Sequence, residues 1–360
     1  MRTVLRCAVL YFFLSPKLLI GAEKVSEFPV GWSEVKPGGD TVCARGDEFS
    51  FFVHSGSVNK VVVDFIGGGA CWNKDTCSPD SPTFTETVDE LRDRVQREGL
   101  QGLYDKTDER NPTKDWHHVV IPYCTGDIHW GANDATYTKD DGSTFTVRHR
   151  GAINAQAVLT WLHERVQDPE RILVTGCSAG AYGSIYWTPH VRKMFPHSSL
   201  VQFADSGNGV ITEDFQKMVD PRWNFKTFMP RWIPDVDPDR VDVTKIHLDE
   251  WYRIAGHFYP DVSFSQYSSI NDGVQTFFYE LMGGDPALWS EKLRASVSKL
   301  AAQNSNYRHF VSPGEEHCIL PFDRFYSEQS KGQPFLRWFT DYISGKDVEN
   351  VICENCEGLL

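Results

Sequence analysis

The chain has 360 residues, of which 41% are hydrophobic, 13% aromatic and 24% charged. That balance suits one large folded core and excludes a disordered or collagen-like chain. A formal net charge of −13 repels phosphate backbones and sets the protein against nucleic acid as a partner.

At the N-terminus, Arg2 and Arg6 form a basic region ahead of an apolar stretch from Cys7 to Leu14, and the small residues Gly21 and Ala22 precede Glu23. This pattern predicts a secretory signal peptide over residues 1–22, followed by a single domain over 23–360. Lys17 interrupts the apolar run, so no stable membrane span is expected once the leader is removed. Of the nine cysteines, Cys7 falls in the leader. The remaining Cys43, Cys71, Cys77, Cys124, Cys177, Cys318, Cys353 and Cys356 form an even set, which fits disulfides in an oxidising compartment. Cys71 and Cys77 are close enough to staple one loop, and Cys353 with Cys356 reads as a terminal structural disulfide. The rest of the connectivity stays open, and Cys177 and Cys318 fit either a bond or two buried thiols.

Downstream, short β-branched runs alternate with amphipathic helices, the signature of a largely parallel sheet. A strand is expected around Val53 and another over Lys60–Ile66, which ends in Gly67, Gly68 and Gly69. The run from His118 to Pro122 is a further strand. Residues 152–166 place Ile153, Ala157, Val158, Trp161 and Leu162 on one helical face, and Asp168 and Pro169 stop that helix. A strand over Arg171–Thr175 runs straight into Gly176-Cys177-Ser178-Ala179-Gly180. Strand-like runs then follow at Leu200–Ala204, Ser263–Tyr267 and Tyr307–Val311. Between the first two of these lies a Trp-, Pro- and Asp-rich segment over residues 212–260.

The sharpest chemical signal is Ser178. A serine with glycines two residues to either side, between a strand and a helix, is a nucleophile elbow. The glycines let strand and helix pass closely, and the helix N-terminus favours developing negative charge. The glycine run after the earlier strand supplies backbone N–H groups for an oxyanion, so Gly69 and Ala70, with Ala179 after the nucleophile, are the expected oxyanion hole. No Gly-Lys-Ser/Thr follows the run, which argues against a phosphate cradle. In this fold the chain order is serine, acid, histidine. Asp205 and Asp272 each follow a strand; the later position is the usual one for the acid, so Asp272 is preferred and Asp205 is left to orient the pocket. His317, in the exit loop of the last strand, is the expected base, and His309, inside that strand, a packed or surface histidine. Residues His117, His118, His129 and Asp127 lack metal-site spacing. The expectation is an α/β fold, α/β-hydrolase-like, with a mostly parallel central sheet flanked by helices and residues 212–260 as a cap insertion. Ser178, Asp272 and His317 would hydrolyse esters through an acyl-enzyme, with no metal and no cofactor.

The ordered motifs Gly67 to Trp72, Pro122 to His129, Gly176 to Gly180, Phe203 to Gly207 and Glu316 to Cys318 resemble the pectin acetylesterase family, which also contains the Notum-type carboxylesterases that remove a fatty acyl group from secreted Wnt signals. The resemblance runs from about Cys43 to Cys318. It maps the family triad onto Ser178, Asp272 and His317 and its oxyanion loop onto Gly68, Gly69 and Ala70. Plant and animal members carry a Trp within or just after the glycine run. This chain has Ala70 there and places its aromatic at Trp72, a version that looks closer to microbial members. The resemblance implies a secreted serine carboxylic ester hydrolase whose partner is an ester substrate, first an O-acetylated polysaccharide. The alternatives are a Notum-like deacylase of longer-chain or protein-linked acyl esters, and a non-catalytic glycan-binding pseudoenzyme.

Overall fold

The structure, a computed structural model, describes residues 28–29, 31–96, 99–354 and 356. The signal peptide expected over 1–22 lies outside them. The strands are β1 (Trp32–Val35), β2 (Phe51–His54), β3 (Val58–Phe65), β4 (Trp116–Ile121), β5 (Asn133–Thr138), β6 (Thr144–His149), β7 (Arg171–Cys177), β8 (Ser199–Asp205), β9 (Ser263–Ser269), β10 (Tyr307–Ser312), β11 (Gln329–Ser330), β12 (Gln333–Pro334) and β13 (Val351–Ile352). The α-helices are α1 (Asp89–Gln96), α2 (Gly151–Arg165), α3 (Ala179–Met194), α4 (Glu213–Trp223), α5 (Leu248–Phe258), α6 (Gly273–Leu281), α7 (Trp289–Gln303) and α8 (Phe335–Ile343).

Nine strands form one sheet in the order β1-β2-β4-β3-β7-β8-β9-β10-β13. The pairings from β4 through β13 are parallel, and β1 and β2 close one edge antiparallel. The pleat sorts side chains to alternate faces. Val61, Val63 and Phe65 of β3, with Ile172 and Val174 of β7, pack in one core with α2 and α3. Val62, Leu173, Val201 and Phe203 face the other way onto α8. Helices cover both faces, which is why these strands read as nearly unbroken apolar runs. The expected α/β architecture is therefore observed.

Four disulfides join Cys43 to Cys124, Cys71 to Cys77, Cys177 to Cys318, and Cys353 to Cys356. Cys177 and Cys318, open in the sequence, are thus bonded. No helix among the described residues is long and apolar enough to cross a membrane. Residues 212–260 form α4, α5 and short 3-10 helices, and Phe215 and Leu248 from this segment reach a pocket at the carboxyl ends of the parallel strands.

Candidate active site

Ligand crevices of open α/β sheets lie beyond the carboxyl ends of the strands. Here β3 ends before Gly67, β7 before Ser178, β9 before Asp272 and β10 before His317. These four strands, with β8, are consecutive in the sheet, so residues distant in sequence converge at one end.

Ser178 sits at φ 59° and ψ −125°, a conformation that L-residues rarely adopt, in a one-residue turn between β7 and α3. The flanking glycines are sterically required. A Cβ on Gly176 would lie 2.4 Å from the Gly180 carbonyl oxygen, and one on Gly180 would lie 2.1 Å from that of Phe65. Other non-glycine residues with positive φ gather here too: Ile128, His129, Ser206 and Cys318. Such backbone strain persists where the surroundings over-determine it, and it concentrates at functional sites.

His317 Nδ1 lies 2.9 Å from both carboxylate oxygens of Asp272. An Nδ1–H donated to that carboxylate leaves Nε2 as the acceptor. Nε2 is buried and has no hydrogen-bond partner among the described residues. His317 lines a pocket together with Ser178. Asp272 is itself fully buried. Its Oδ1 accepts from the backbone N–H groups of Val274 (3.1 Å) and Gln275 (3.0 Å), which makes it the N-cap of α6. Its Oδ2 accepts from the Gln275 side chain at 3.0 Å. Gln275 in turn reaches Asn208 and Ser268. Nothing in the sequence pattern marked Gln275; its place three residues after an N-cap aspartate was the available signal.

Asp205, the other sequence candidate, does not reach His317 by hydrogen bond. Its Oδ2 accepts from the N–H groups of Ile319 (2.8 Å) and Leu320 (2.9 Å). Burial pushes its carboxyl up to about 6, against the lowering pull of those two amides.

The glycine run forms an antiparallel bridge, Gly69 opposite Phe84. Hydrogen bonds to either side of it run from Ala70 N to Thr83 O (3.3 Å) and from Thr85 N to Gly68 O (2.8 Å). The Ala70 amide, expected at the oxyanion, instead points to the Thr83 carbonyl, because the bridge register turns it that way. The same register makes Gly69 a non-hydrogen-bonded pair member, whose own N–H faces away from the partner segment. Ala179 opens α3, where a backbone N–H has no carbonyl one turn back. Gly69 and Ala179 both line the pocket with Ser178. Gly68 packs on Thr85 and Tyr123 and lines the adjoining groove.

Asp127 and the histidines His117, His118, His129 and His309 have other partners or places. Asp127 accepts from Thr125, from the His129 amide and from Gly151 N at the start of α2. The His129 ring nitrogen Nε2 donates to the Ile66 carbonyl at 2.9 Å, just before the glycine run. His118 pairs with the buried Asp64, and His117 accepts from Gly56 N. His309 is buried within β10.

Two hollows meet at Ser178 and His317. One is a pocket of about 50 Å³ with apolar walls that include Ile211, Phe215, Leu248, Phe278 and Met282. The other is a groove of about 400 Å³ with Thr85, Thr87, Glu90, Arg94 and Tyr104 among its lining. A serine hydroxyl, a carboxylate-bound imidazole, and two amides, the last three with a nitrogen left unpartnered among the described residues, can together perform acyl transfer.

A family model described as Pectinacetylesterase matches residues 33–232, more than half of the chain. The chain belongs to the pectinacetylesterase family. The matched stretch contains the glycine run and Ser178, while Asp272 and His317 lie beyond it. Among similar curated proteins of Arabidopsis thaliana, Pectin acetylesterase 11 is 25% identical over 196 residues, 53% of this chain and 47% of that protein. Pectin acetylesterase 5 is 25% identical over 170 residues, 46% of this chain and 38% of that protein. The chain thus matches about half or less of the length of these relatives. Among solved structures, the Wnt deacylase Notum from Drosophila superposes with a TM-score of 0.63 at 14% identity, covering 91% of this chain and 96% of that one. This likeness shows a shared α/β-hydrolase fold.

Proposed function

We propose that this protein is a serine carboxylic ester hydrolase that removes O-acetyl groups from a polysaccharide outside the cell. The observation that carries the reading is the His317 imidazole, held by Asp272 on one nitrogen and free on the other in the pocket of Ser178. Ser178 Oγ attacks the ester carbonyl carbon while His317 Nε2 takes its proton. The carbonyl oxygen, now negative, rests on the amides of Gly69 and Ala179. His317 then returns the proton to the departing alcohol, leaving acyl-Ser178. Water, deprotonated by the same nitrogen, releases the acid and restores the serine.

The unequal hollows support a small acyl group and a large alcohol. About 50 Å³ holds a few water-sized groups, enough for an acetyl or another short chain. The groove of about 400 Å³, with charged and hydroxyl side chains, suits a sugar chain. The segment over 212–260 serves as a cap, since Phe215 and Leu248 wall the acyl side. Export fits the four disulfides.

Purified protein is assayed on p-nitrophenyl acetate, butyrate and palmitate, and on an acetylated polysaccharide by acetate release. Acetate is expected to be the best p-nitrophenyl ester, with Ser178→Ala losing on the order of 10⁶ in turnover. Preference for palmitate would assign a longer-chain deacylase, and silence on every ester a glycan-binding pseudoenzyme.

A further inference from the structure

The loop that carries His317 has no regular secondary structure between the end of β10 and Phe322. Its amides therefore need acceptors from elsewhere. Three consecutive N–H groups directly after His317 find them on one dipeptide at the end of β8. Cys318 N donates to Ser206 Oγ at 2.9 Å, and Ile319 N and Leu320 N donate to Asp205 Oδ2 at 2.8 and 2.9 Å. Cys318 has φ +61°, which turns successive N–H groups to one side, and an acidic oxygen fills the hollow they form.

The same dipeptide holds the serine. Ser178 N donates to the Asp205 carbonyl oxygen at 2.8 Å. Ser206, itself at φ +55°, is fixed by its own N–H on the Tyr267 carbonyl of the neighbouring strand β9. Asp205 and Ser206 are both buried. One rigid point in the sheet thus fixes the backbone on which Ser178 stands and the backbone on which His317 stands. The disulfide from Cys177 to Cys318 links the two neighbouring residues, and the carbonyl groups of Cys318 and Leu320 accept from Arg324 and from Leu103 N (2.8 Å), but the amides after His317 rest on Asp205 and Ser206.

We propose that Asp205 and Ser206 are positioning residues for the hydrolysis described above, on which the inference rests: they set the distance from His317 to Ser178 by clamping the loop after the histidine. They touch no reacting atom. Without the clamp, His317 keeps its bond to Asp272 but its free nitrogen no longer returns to one place, and a displacement of about 1 Å costs on the order of 10² in rate.

The test uses the full chain with all four disulfides, checked by mass and by a native melting transition. Asp205→Ala is expected to lower kcat about 100-fold with KM within about threefold of wild type, and to slow labelling of Ser178 by a fluorophosphonate by a similar factor. Asp205→Asn keeps one oxygen able to accept from both amides, so kcat should return to within about tenfold of wild type. Ser206→Ala removes a single acceptor and should by itself lower kcat about tenfold at unchanged KM. A folded Asp205→Ala with kcat within threefold of wild type overturns the proposal. If Asp205→Ala does not fold, an unchanged kcat in Ser206→Ala overturns it as well. The catalytic reading fails separately, by an inactive wild type or an active Ser178→Ala.

Discussion

Replacing Asp272 by Asn separates catalysis from folding, because the helix cap uses only Oδ1 whereas the imidazole meets both oxygens. Oδ1 caps α6 through the amides of Val274 and Gln275. Asn caps a helix about as well as Asp, so the variant should keep its amide oxygen toward those donors and melt close to wild type. Its NH₂ then takes the place of Oδ2. There it meets two other donors, the Gln275 side-chain amide, 3.0 Å from Oδ2 in the native protein, and His317 Nδ1 at 2.9 Å. The histidine relieves the clash by moving its proton to Nε2, the nitrogen that must accept from Ser178. The protonated ring also loses its counter-charge. The same substitution in a serine protease triad lowers turnover about 10⁴-fold, equivalent to roughly 5.4 kcal/mol of barrier, and a loss of that order is expected here. The assay is kcat on p-nitrophenyl acetate beside a thermal melt. A natively folded Asp272→Asn with kcat within tenfold of wild type would refute the reasoning. So would an Asp205→Asn that folds and is the more inactive of the two.

Gly180→Ala should fail to fold or lose more than the roughly 1–3 kcal/mol of ordinary overpacking, because the new Cβ would meet the backbone oxygen of Phe65 at 2.1 Å; a soluble variant with a native melt contradicts the elbow geometry. Cys43→Ala with Cys124→Ala opens a bridge spanning 81 residues and should cost about 2–4 kcal/mol in urea titration, whereas no change would mean the bond is not formed. Acidification from pH 7 to 5 should destabilise the fold. Burial holds His129, His149, His190 and His309 down to about 4, so the unfolded chain binds protons there that the folded one refuses, and stability falls as pH drops below the unfolded value of 6.5. Asp127 and Asp205, pushed up to about 6 by burial, act oppositely and favour the folded state as pH falls from 6 toward 4. Burial lowers His54 and His118 in the same way and pushes Asp64 up to about 7, so the histidines outnumber the carboxyls and the net effect of acidification is a loss of stability; urea titrations at pH 7 and 5 measure it, and greater stability at pH 5 would reverse the sign.

The sheet was legible where both of its faces are covered. Every residue of Val61 to Phe65, Ile172 to Val174 and Leu200 to Ala204 is buried, and all but Asp64 and Gln202 are apolar, so hydrophobicity marks them. The hairpin of β5 and β6 carries a weaker signal. It lies outside the main sheet, and Ala135, Tyr137, Val147 and His149 are its buried positions among largely polar neighbours. β1 has no fully buried residue, and β13 is two residues long. Such edges are set by pairing with a neighbour already in place, which a window of sequence does not contain.

Within the site, local chemistry was readable, while the partners of Asp205, Ala70 and Cys177 were not. Ser178 and the glycine run announce themselves, since a tight turn permits few residue types. Asp205 and Asp272 look alike in sequence, each an acid at the end of a strand and each buried. The pleat separates them. Asp205 is the last residue of β8 and continues the alternation of Val201 and Phe203, which face α8, so it is directed beneath the histidine loop and meets amides. Asp272 lies three residues past β9, where the chain has left the sheet and turned into α6. Free of the pleat, its carboxylate can cap a helix with one oxygen and present both to the imidazole. The Ala70 amide was misassigned for a related reason: its direction depends on a bridge to Phe84, fourteen residues on, that composition does not encode. The same holds for Cys177 and Cys318, 141 residues apart. Each stands beside a residue of the site, and that adjacency becomes a contact once β7 and β10 end at the same edge of the sheet.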